Sequence, residues 1–278
     1  MRKILLTLSI SLFLLGLYLR PDTPNIEETI TTEPVPTILE VVTEPTTIPT
    51  EKIIPVPASL NVESGNYLET FTDPNTNDYL DYYLFLPNNA VEGMPLIIFL
   101  HGDGEVNQVR SLENFAMSKK MKEIYGYDFP FIAISPCTRL YSWTSGTIPT
   151  TLKALIDNIV ETYHIDTNKI IITGHSRGSM GVWYMISTYG DFFSAAVPVS
   201  CQSQWMTLNA TECAKVPILA FVGTGMDYSY YGYGMTMDVE AINEAGGNAT
   251  LVILDGCDHA MTMTEAYSIE TFEWMLQQ

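Results

Sequence analysis

The pentapeptide GHSRG at residues 174–178 constrains the fold of this chain more than any other part of its sequence. Its Gly-x-Ser-x-Gly pattern follows a β-branched run at 170–173 and precedes a segment whose apolar residues have helical spacing. Glycines on both sides of Ser176 are needed in so tight a turn, because a Cβ atom at either position would clash. The pattern predicts a strand, a strained turn and a helix that lift the Ser176 hydroxyl above a sheet edge as a nucleophile.

Short apolar runs alternate with amphipathic segments along most of the chain, which is typical of a parallel sheet covered by helices on both faces. The strands expected from these runs are 67–71, 79–86, 96–100, 129–135, 170–173, 195–199, 218–222 and 250–254. The helices expected between them are 112–125, 151–163, 178–189, 235–245 and 264–276. The predicted fold class is therefore α/β, with a mostly parallel central sheet of about eight strands.

Three regions of the chain differ in composition. Residues 1–20 combine basic residues with an apolar run and are expected to be a signal peptide or an uncleaved signal anchor. Residues 21–57 hold eight of the 16 prolines and no glycine or aromatic residue, so a disordered Thr/Pro/Glu-rich linker is expected. Residues 58–278 are expected to form one α/β domain, which is either secreted or anchored to the outer face of the cytoplasmic membrane.

The chain is strongly acidic, with 32 Asp and Glu against 13 Lys and Arg and a formal net charge of −19. This excess argues against nucleic-acid binding, which depends on basic side chains that neutralise phosphates. It also disfavours docking on anionic lipid headgroups, so contact with a membrane is expected only through the N-terminal segment.

Four cysteines, Cys137, Cys201, Cys213 and Cys257, lie in the domain that is expected outside the cytoplasm, where disulfides persist. None belongs to a C-x-x-C pair, so neither a zinc site nor a redox site is expected. Four cysteines allow three pairings, and the sequence alone does not select among them. The pairing predicted as a candidate joins Cys201 to Cys213, which would close a short loop, and Cys137 to Cys257.

A serine hydroxyl needs a base to become a good nucleophile, and His259 directly follows the last expected strand. The chain order serine, acid, histidine favours His259 over the other histidines. Asp227 follows the expected strand 218–222 and is the candidate for the carboxylate that orients the base. Asp255, four residues before His259, is the competing candidate.

The tetrapeptide HGDG at 101–104 directly follows the expected strand 96–100. A backbone N–H group of this loop, with that of the residue after the nucleophile, forms the oxyanion hole in enzymes built this way. The expected donors are the N–H groups of Asp103 and Arg177.

The motifs HGDG (101–104) and GHSRG (174–178), an aspartate after the next-but-one strand, and the tripeptide DHA (258–260) resemble the α/β-hydrolase superfamily. Within it, residues 60–278 are similar to the compact carboxylesterases related to feruloyl esterases, acetyl xylan esterases and polyhydroxybutyrate depolymerases.

This resemblance implies an acyl-enzyme mechanism with Ser176, Asp227 and His259 as the catalytic triad, and no metal or organic cofactor. It also implies an ester substrate, and acyl groups on plant-wall polysaccharide or a related extracellular ester fit best. The turn before Asp227 is one residue longer than the G-x-x-D of many relatives, which leaves the acid open between Asp227 and Asp255.

Aromatic residues in loops after strands are candidates for substrate contact, because flat aromatic faces suit a sugar ring or a phenolic acyl group. The candidates are Trp143, Trp205, Tyr228 and Tyr230. Packing of the loops without any ligand is an equally good interpretation of these side chains.

Two other functions compete with ester hydrolysis. One is a serine peptidase of the prolyl-oligopeptidase type, which is weakened by the absence of an N-terminal propeller. The other is a non-catalytic surface binding protein on a hydrolase fold, which would not need a complete triad.

Overall fold

The computed structural model describes residues 57–203, 208–225 and 227–278. The predicted targeting segment 1–20, nearly all of the predicted linker 21–57, and Trp205 lie outside these residues. Within these ranges, no helix is both long enough and apolar enough to cross a membrane.

An eight-stranded sheet forms the centre of the domain, in the order β1-β2-β4-β3-β5-β6-β7-β8. Strand β2 is antiparallel to both of its neighbours, and every pair from β4 across to β8 is parallel. The predicted, mostly parallel eight-stranded sheet is confirmed. The strands are β1 Gly65–Thr72, β2 Tyr79–Leu86, β3 Leu96–Leu100, β4 Ile132–Cys137, β5 Ile170–His175, β6 Ala195–Val199, β7 Ile218–Gly223 and β8 Ala249–Leu254.

Helices cover both faces of this sheet, which explains why the central strands are continuously apolar. The helices are α1 Met117–Tyr125, α2 Ile148–Thr162, α3 Arg177–Thr188, α4 Ala210–Cys213, α5 Tyr233–Glu244, α6 His259–Glu265 and α7 Ile269–Gln277. In β3, Ile98 and Leu100 belong to the core cluster that contains residues of α2, α3 and α5, whereas Ile97 and Phe99 belong to the cluster that contains residues of α1 and α7 on the other face.

Two of the predicted helices are interrupted. The segment predicted as 112–125 is a 3-10 turn, Val109–Asn114, followed by α1, and the two are separated by Ala116 at a φ of +45°. The segment predicted as 264–276 is divided into α6 and α7 at Ser268. The Ser268 side chain accepts a hydrogen bond from the N–H of Thr271, so it begins a new helix instead of continuing the old one.

The two predicted disulfides are wrong, because all four cysteines are separate, buried thiols. Cys137 ends β4, whereas the backbone of Cys257 lies against Gly223 at the end of β7. Three strands separate β4 from β7, a distance of about 19 Å at the usual spacing of strands. A disulfide needs Cα atoms within about 7 Å, so this pair is far beyond reach.

The cysteines of the second predicted pair, Cys201 and Cys213, contact α3 at different positions along its length. The carbonyl of Cys201 accepts hydrogen bonds from Ser179 and Trp183 in the first two turns of α3. The thiol of Cys213 instead lies 3.3 Å from the hydroxyl of Ser187, near the end of the same helix. The short separation in sequence therefore does not bring the two sulfurs together.

The start of α3 lies directly on the end of β3. A Cβ atom added to Gly178 would overlap the Leu100 carbonyl, and one added to Gly174 would lie 2.7 Å from the carbonyl carbon of Gly178. Neither glycine has a positive φ. The elbow therefore needs both glycines for the close approach of backbone to backbone, as the clash argument from the sequence expected.

We predict that Gly178→Ala destabilises the domain by about 1–3 kcal/mol or more, because strand and helix must separate to admit the methyl group. The measurement is urea denaturation followed by fluorescence. The control is Gly104→Ala, where an added Cβ has no neighbour within 4 Å, and its expected change is below about 0.5 kcal/mol. Equal stability of the two variants would contradict this close packing of α3 on β3.

Candidate active site

Ser176 occupies the turn between β5 and α3 with a φ of +57° and a ψ of −118°. A non-glycine residue rarely adopts such a conformation, and its persistence at a defined turn is a mark of functional sites. The serine side chain does not cap α3, so the first N–H groups of the helix, with their partial positive charge, stay available. Gly102 approaches closely from the neighbouring loop, since a Cβ added there would lie 3.4 Å from the Cβ of Ser176.

The two predicted oxyanion donors lie on either side of this contact. Asp103 begins the short 3-10 turn Asp103–Glu105, and Arg177 is the first residue of α3. In the described part of the chain, neither N–H group donates to a protein acceptor. The side chains of the two residues form an ion pair. Both are well exposed, so we expect this pair to stabilise the fold little. The arrangement leaves two unpaired amides beside the serine.

His101 and Trp143 hold the oxyanion loop in place. Nε2 of His101 accepts from the N–H of Thr138 at 3.1 Å, and Nδ1 donates to the Gly102 carbonyl at 2.6 Å. This imidazole is therefore neutral with its proton on Nδ1, and burial lowers its pKa to about 4. His101 therefore shapes the oxyanion loop.

Trp143 is not a substrate-binding residue, contrary to the prediction from its loop position. Its side chain is only 2% exposed. The indole N–H donates to the carbonyl of His101 at 2.9 Å, and the ring stands edge-on to the His101 imidazole with 5.1 Å between centroids. A buried tryptophan satisfies its N–H in this way, so Trp143 supports the oxyanion loop from within the core.

The predicted base and acid are in direct contact. Nδ1 of His259, the first residue of α6, lies 2.6 Å from Oδ1 of Asp227. Asp255, the competing candidate, accepts instead from the hydroxyl of Thr224 at 3.1 Å and is exposed. The structure thus brings Asp227, and not Asp255, to the imidazole.

Two further groups hold the Asp227 carboxylate. The hydroxyl of Ser200 donates to Oδ2 at 2.6 Å, and the N–H of Gly223 donates to the same oxygen at 3.3 Å. Burial by itself raises the pKa of Asp227, but the hydrogen bonds from His259, Ser200 and Gly223 outweigh it and the pKa lies below its usual value. Asp227 is therefore an ionised orienting group for the imidazole.

His175, directly before the serine, packs against the predicted base. Its Nε2 lies 3.0 Å from the carbonyl oxygen of His259, and the two ring centroids are 4.4 Å apart. Because a carbonyl only accepts, Nε2 of His175 carries the proton. Burial, followed by the neighbouring His259, lowers the pKa of His175 to about 3, so it stays neutral. The residue before the nucleophile is thus bonded to the backbone of the base.

The tyrosines after Asp227 form the other wall of the site. They lie on one π-helical turn, Tyr228–Gly232, an irregularity that is frequent at functional sites. The Tyr231 ring lies 5.5 Å from that of His259. Tyr230 is 68% exposed and, with Tyr231 and His259, lines a cavity of about 370 Å³. Tyr228 packs its ring against Gly232 and does not line this cavity. Trp205 lies outside the described residues.

This arrangement has the parts required for nucleophilic catalysis. In the described residues no hydrogen bond joins Ser176 to the imidazole of His259. Such contacts are often long without substrate and tighten when it binds. Among the same residues, no group of three His, Cys, Asp or Glu side chains is arranged to hold a metal ion.

Three residues of the site were not identified from the sequence: Ser200, His175 as a partner of His259, and Tyr231. Ser200 follows β6 at a φ of +58°, and the position of a serine at a strand end is a weak signal for it. His175 belonged to a recognised motif, but its contact joins residues 84 positions apart in the chain.

Comparison with known proteins supports the fold. No protein-family model matches the chain. A bifunctional acetylxylan esterase/xylanase of Neocallimastix patriciarum is 26% identical over 155 residues, which are 54% of this chain and 22% of that protein. The chain thus spans about a fifth of the length of this relative.

Solved esterase structures share the architecture. A thermostable esterase has a TM-score of 0.63 at 23% identity, over 77% of this chain and 63% of its own. An acetyl xylan esterase from Aspergillus awamori has a TM-score of 0.56 at 15% identity, over 75% and 99%. The feruloyl esterase module from Clostridium thermocellum, complexed with sinapinate, has a TM-score of 0.53 at 15% identity, over 77% and 90%. The fold is the α/β-hydrolase fold, as predicted.

We predict that Asp227→Asn slows covalent labelling of Ser176 by a fluorophosphonate on the order of 10⁴-fold, because the imidazole loses the carboxylate that sets its tautomer. Asp255→Asn is the matched control and should label at the normal rate. Labelling rates from gel fluorescence decide between the two acids. If Asp255→Asn were the slower variant, the orienting role would pass to Asp255.

We predict that His175→Phe slows the same labelling about 10- to 100-fold, because the backbone of His259 loses a hydrogen bond and the base shifts from the serine. His175→Gln keeps a side-chain N–H and should recover most of the rate. Thermal melting of both variants separates this effect from unfolding. If the His175→Phe and His175→Gln variants had equal labelling rates and equal stability, the hydrogen bond from His175 to the His259 carbonyl would not position the base.

Proposed function

We propose that this chain is a serine carboxylesterase that hydrolyses acyl esters on plant-wall polysaccharide or a related extracellular polymer. The observation that carries the proposal is the 2.6 Å contact between Nδ1 of His259 and the carboxylate of Asp227. This contact lies beside an elbow that presents Ser176, and a serine, a histidine and a carboxylate in these roles perform acyl transfer.

The first half of the reaction forms an acyl-enzyme. Nε2 of His259 takes the proton from the Ser176 hydroxyl as Oγ attacks the ester carbonyl carbon, and the carbonyl oxygen becomes an oxyanion. The N–H groups of Asp103 and Arg177 stabilise this charge. The C–O bond to the alcohol then breaks, and His259 returns the proton to the departing alkoxide.

The second half releases the acid. A water molecule gives its proton to Nε2 of His259 and attacks the acyl carbon, and the same amides hold the second oxyanion. The bond to Oγ of Ser176 then breaks, and the oxygen recovers its proton from His259. Throughout, Asp227 keeps its negative charge and stabilises the imidazolium that forms in each half.

The substrate class is inferred from similarity together with the chemistry of the surface. The sequence relative is named an acetylxylan esterase/xylanase, and two of the compared structures are an acetyl xylan esterase and a feruloyl esterase module. The exposed ring of Tyr230 beside His259 gives a flat apolar face suited to a sugar or phenolic group. A site of action outside the cytoplasm fits the signal-like residues 1–20.

The test is ester hydrolysis by the full-length chain with and without Ser176. We predict that the wild type hydrolyses acetylated and feruloylated xylo-oligosaccharides but not peptide amides, and that Ser176→Ala lowers kcat about 10⁴- to 10⁶-fold. The matched control is Ser59→Ala, an exposed serine whose backbone pairs with Val91 in the loop between β2 and β3. It should retain full activity.

Three outcomes would overturn the proposal. Turnover that survives Ser176→Ala would exclude the acyl-enzyme. Cleavage of peptide amides in preference to esters would indicate a peptidase. Binding of the oligosaccharides without hydrolysis of any ester would indicate a non-catalytic binding protein on this fold.

A further inference from the structure

A second and larger cavity lies next to the one beside His259. It has a volume of about 650 Å³ and runs along helix α5. Tyr230 lines both cavities, so the larger one adjoins the cavity beside the predicted base. We call it the α5 cavity. Among the residues described, neither Asp103 nor Arg177 lines either cavity. The two cavities therefore lie on the His259 side of the site, away from the oxyanion amides.

One face of α5 forms the apolar wall of this cavity. Tyr233, Met237 and Ala241 recur every four residues and therefore share a face of the helix. Tyr233 is 74% exposed and Met237 52%, although both are large apolar side chains. With Tyr230 they form a contiguous exposed apolar surface beside the site, and such surfaces mark binding sites.

Polar side chains complete the lining of the cavity, and one of them is an acceptor without a partner. Asp238 is fully engaged, because its carboxylate accepts from both the N–H and the hydroxyl of Ser203 at 2.6 and 2.7 Å. The side-chain oxygen of Gln202 differs, because it is buried and has no hydrogen-bond partner among the described residues. A buried acceptor without a partner is costly, so a donor from a ligand in the α5 cavity would satisfy it.

The reaction itself decides which part of an ester reaches this cavity. The carbonyl oxygen must point to the amides of Asp103 and Arg177, whereas the departing alcohol must lie where His259 can protonate it. The alcohol is therefore on the side of the base. Of the two halves of an ester, the alcohol is therefore the one that lies nearer to Tyr230, the residue shared by the two cavities.

We propose that the α5 cavity binds the alcohol half of the substrate, a sugar unit, and so selects esters by their alcohol. The apolar face of a sugar ring suits Tyr230 and Tyr233, and one of its hydroxyl groups donates to Gln202. This assignment rests on the proposed esterase function and adds to it the chemical class that the cavity recognises.

The test compares three esters with the full chain. Acetylated xylotriose has a small acyl group and a large alcohol, methyl ferulate has the reverse, and ethyl acetate is small on both sides. Met237→Trp narrows the α5 cavity at a position that does not line the cavity beside His259. We expect it to lower kcat/KM at least about 10-fold for acetylated xylotriose and less than about 2-fold for the other two esters.

Gln202→Leu tests the hydrogen bond separately. It should lower kcat/KM about 2- to 10-fold for acetylated xylotriose alone, the range expected for one hydrogen bond.

The matched control for Met237→Trp is Ile269→Trp, which introduces the same indole at an exposed position of α7, on the opposite face of the sheet. It should leave all three esters unchanged.

The outcomes distinguish this inference from the proposed function. A selective loss of methyl ferulate hydrolysis in Met237→Trp would place the acyl group in the cavity, and equal effects on all three esters would exclude substrate from it. If the wild type hydrolysed no ester, the proposed function would fail. Calorimetric titration with xylotriose would then still test the cavity, since Met237→Trp should abolish binding and unchanged binding would overturn the proposal.

Discussion

The contact on which the site depends is the close approach of the α3 backbone to the carbonyl of Leu100. This approach is possible because Gly178 has no Cβ atom. This approach holds the end of β3 and the start of α3 at a distance that no side chain would permit. Consequently the loop after β3 and the turn at Ser176 meet, and two unpaired amides from different segments lie beside one hydroxyl. The strained φ of Ser176 is a consequence of this packing.

A second set of contacts brings in the loops after the later strands. Ser200 after β6 and Gly223 at the end of β7 both donate to Asp227, and Asp227 holds the imidazole of His259 after β8. His175, the last residue of β5, also bonds the backbone of His259. Four neighbouring strand ends are thus joined through one carboxylate and two imidazoles. A shift of any one of these strands would therefore displace the imidazole of His259.

The parts of this architecture that could be predicted from the sequence are those with local signals. The elbow is a contiguous motif, the strands are contiguous apolar runs, and His259 and Asp227 each follow a strand in the expected order. The break at Ser268 was missed because the apolar spacing of the helices continues across it, and only the capping hydrogen bond reveals the start of α7.

The incorrect predictions concern distances and directions that a linear sequence does not contain. Trp143 lies in a loop, where an aromatic ring points either to solvent or into the core, and only the packing against His101 shows which. The cysteine pairing failed for the same reason, because Cys201 and Cys213 are close in sequence but contact different turns of α3. Ser200 was not identified because its partner, Asp227, belongs to the loop after the next strand.

Because all four cysteines are unpaired, the stability of the domain does not depend on whether its surroundings are oxidising or reducing. Burial raises the pKa of Cys137 and Cys213 to about 11 and that of Cys201 to about 12, and it also raises the pKa of Cys257. Since the thiolate is the reactive species, these sulfurs exchange slowly with external thiols or disulfides. There is also no crosslink for a reductant to open. The folded state therefore depends on noncovalent contacts and would be equally stable in an oxidising medium and in a strictly reducing one.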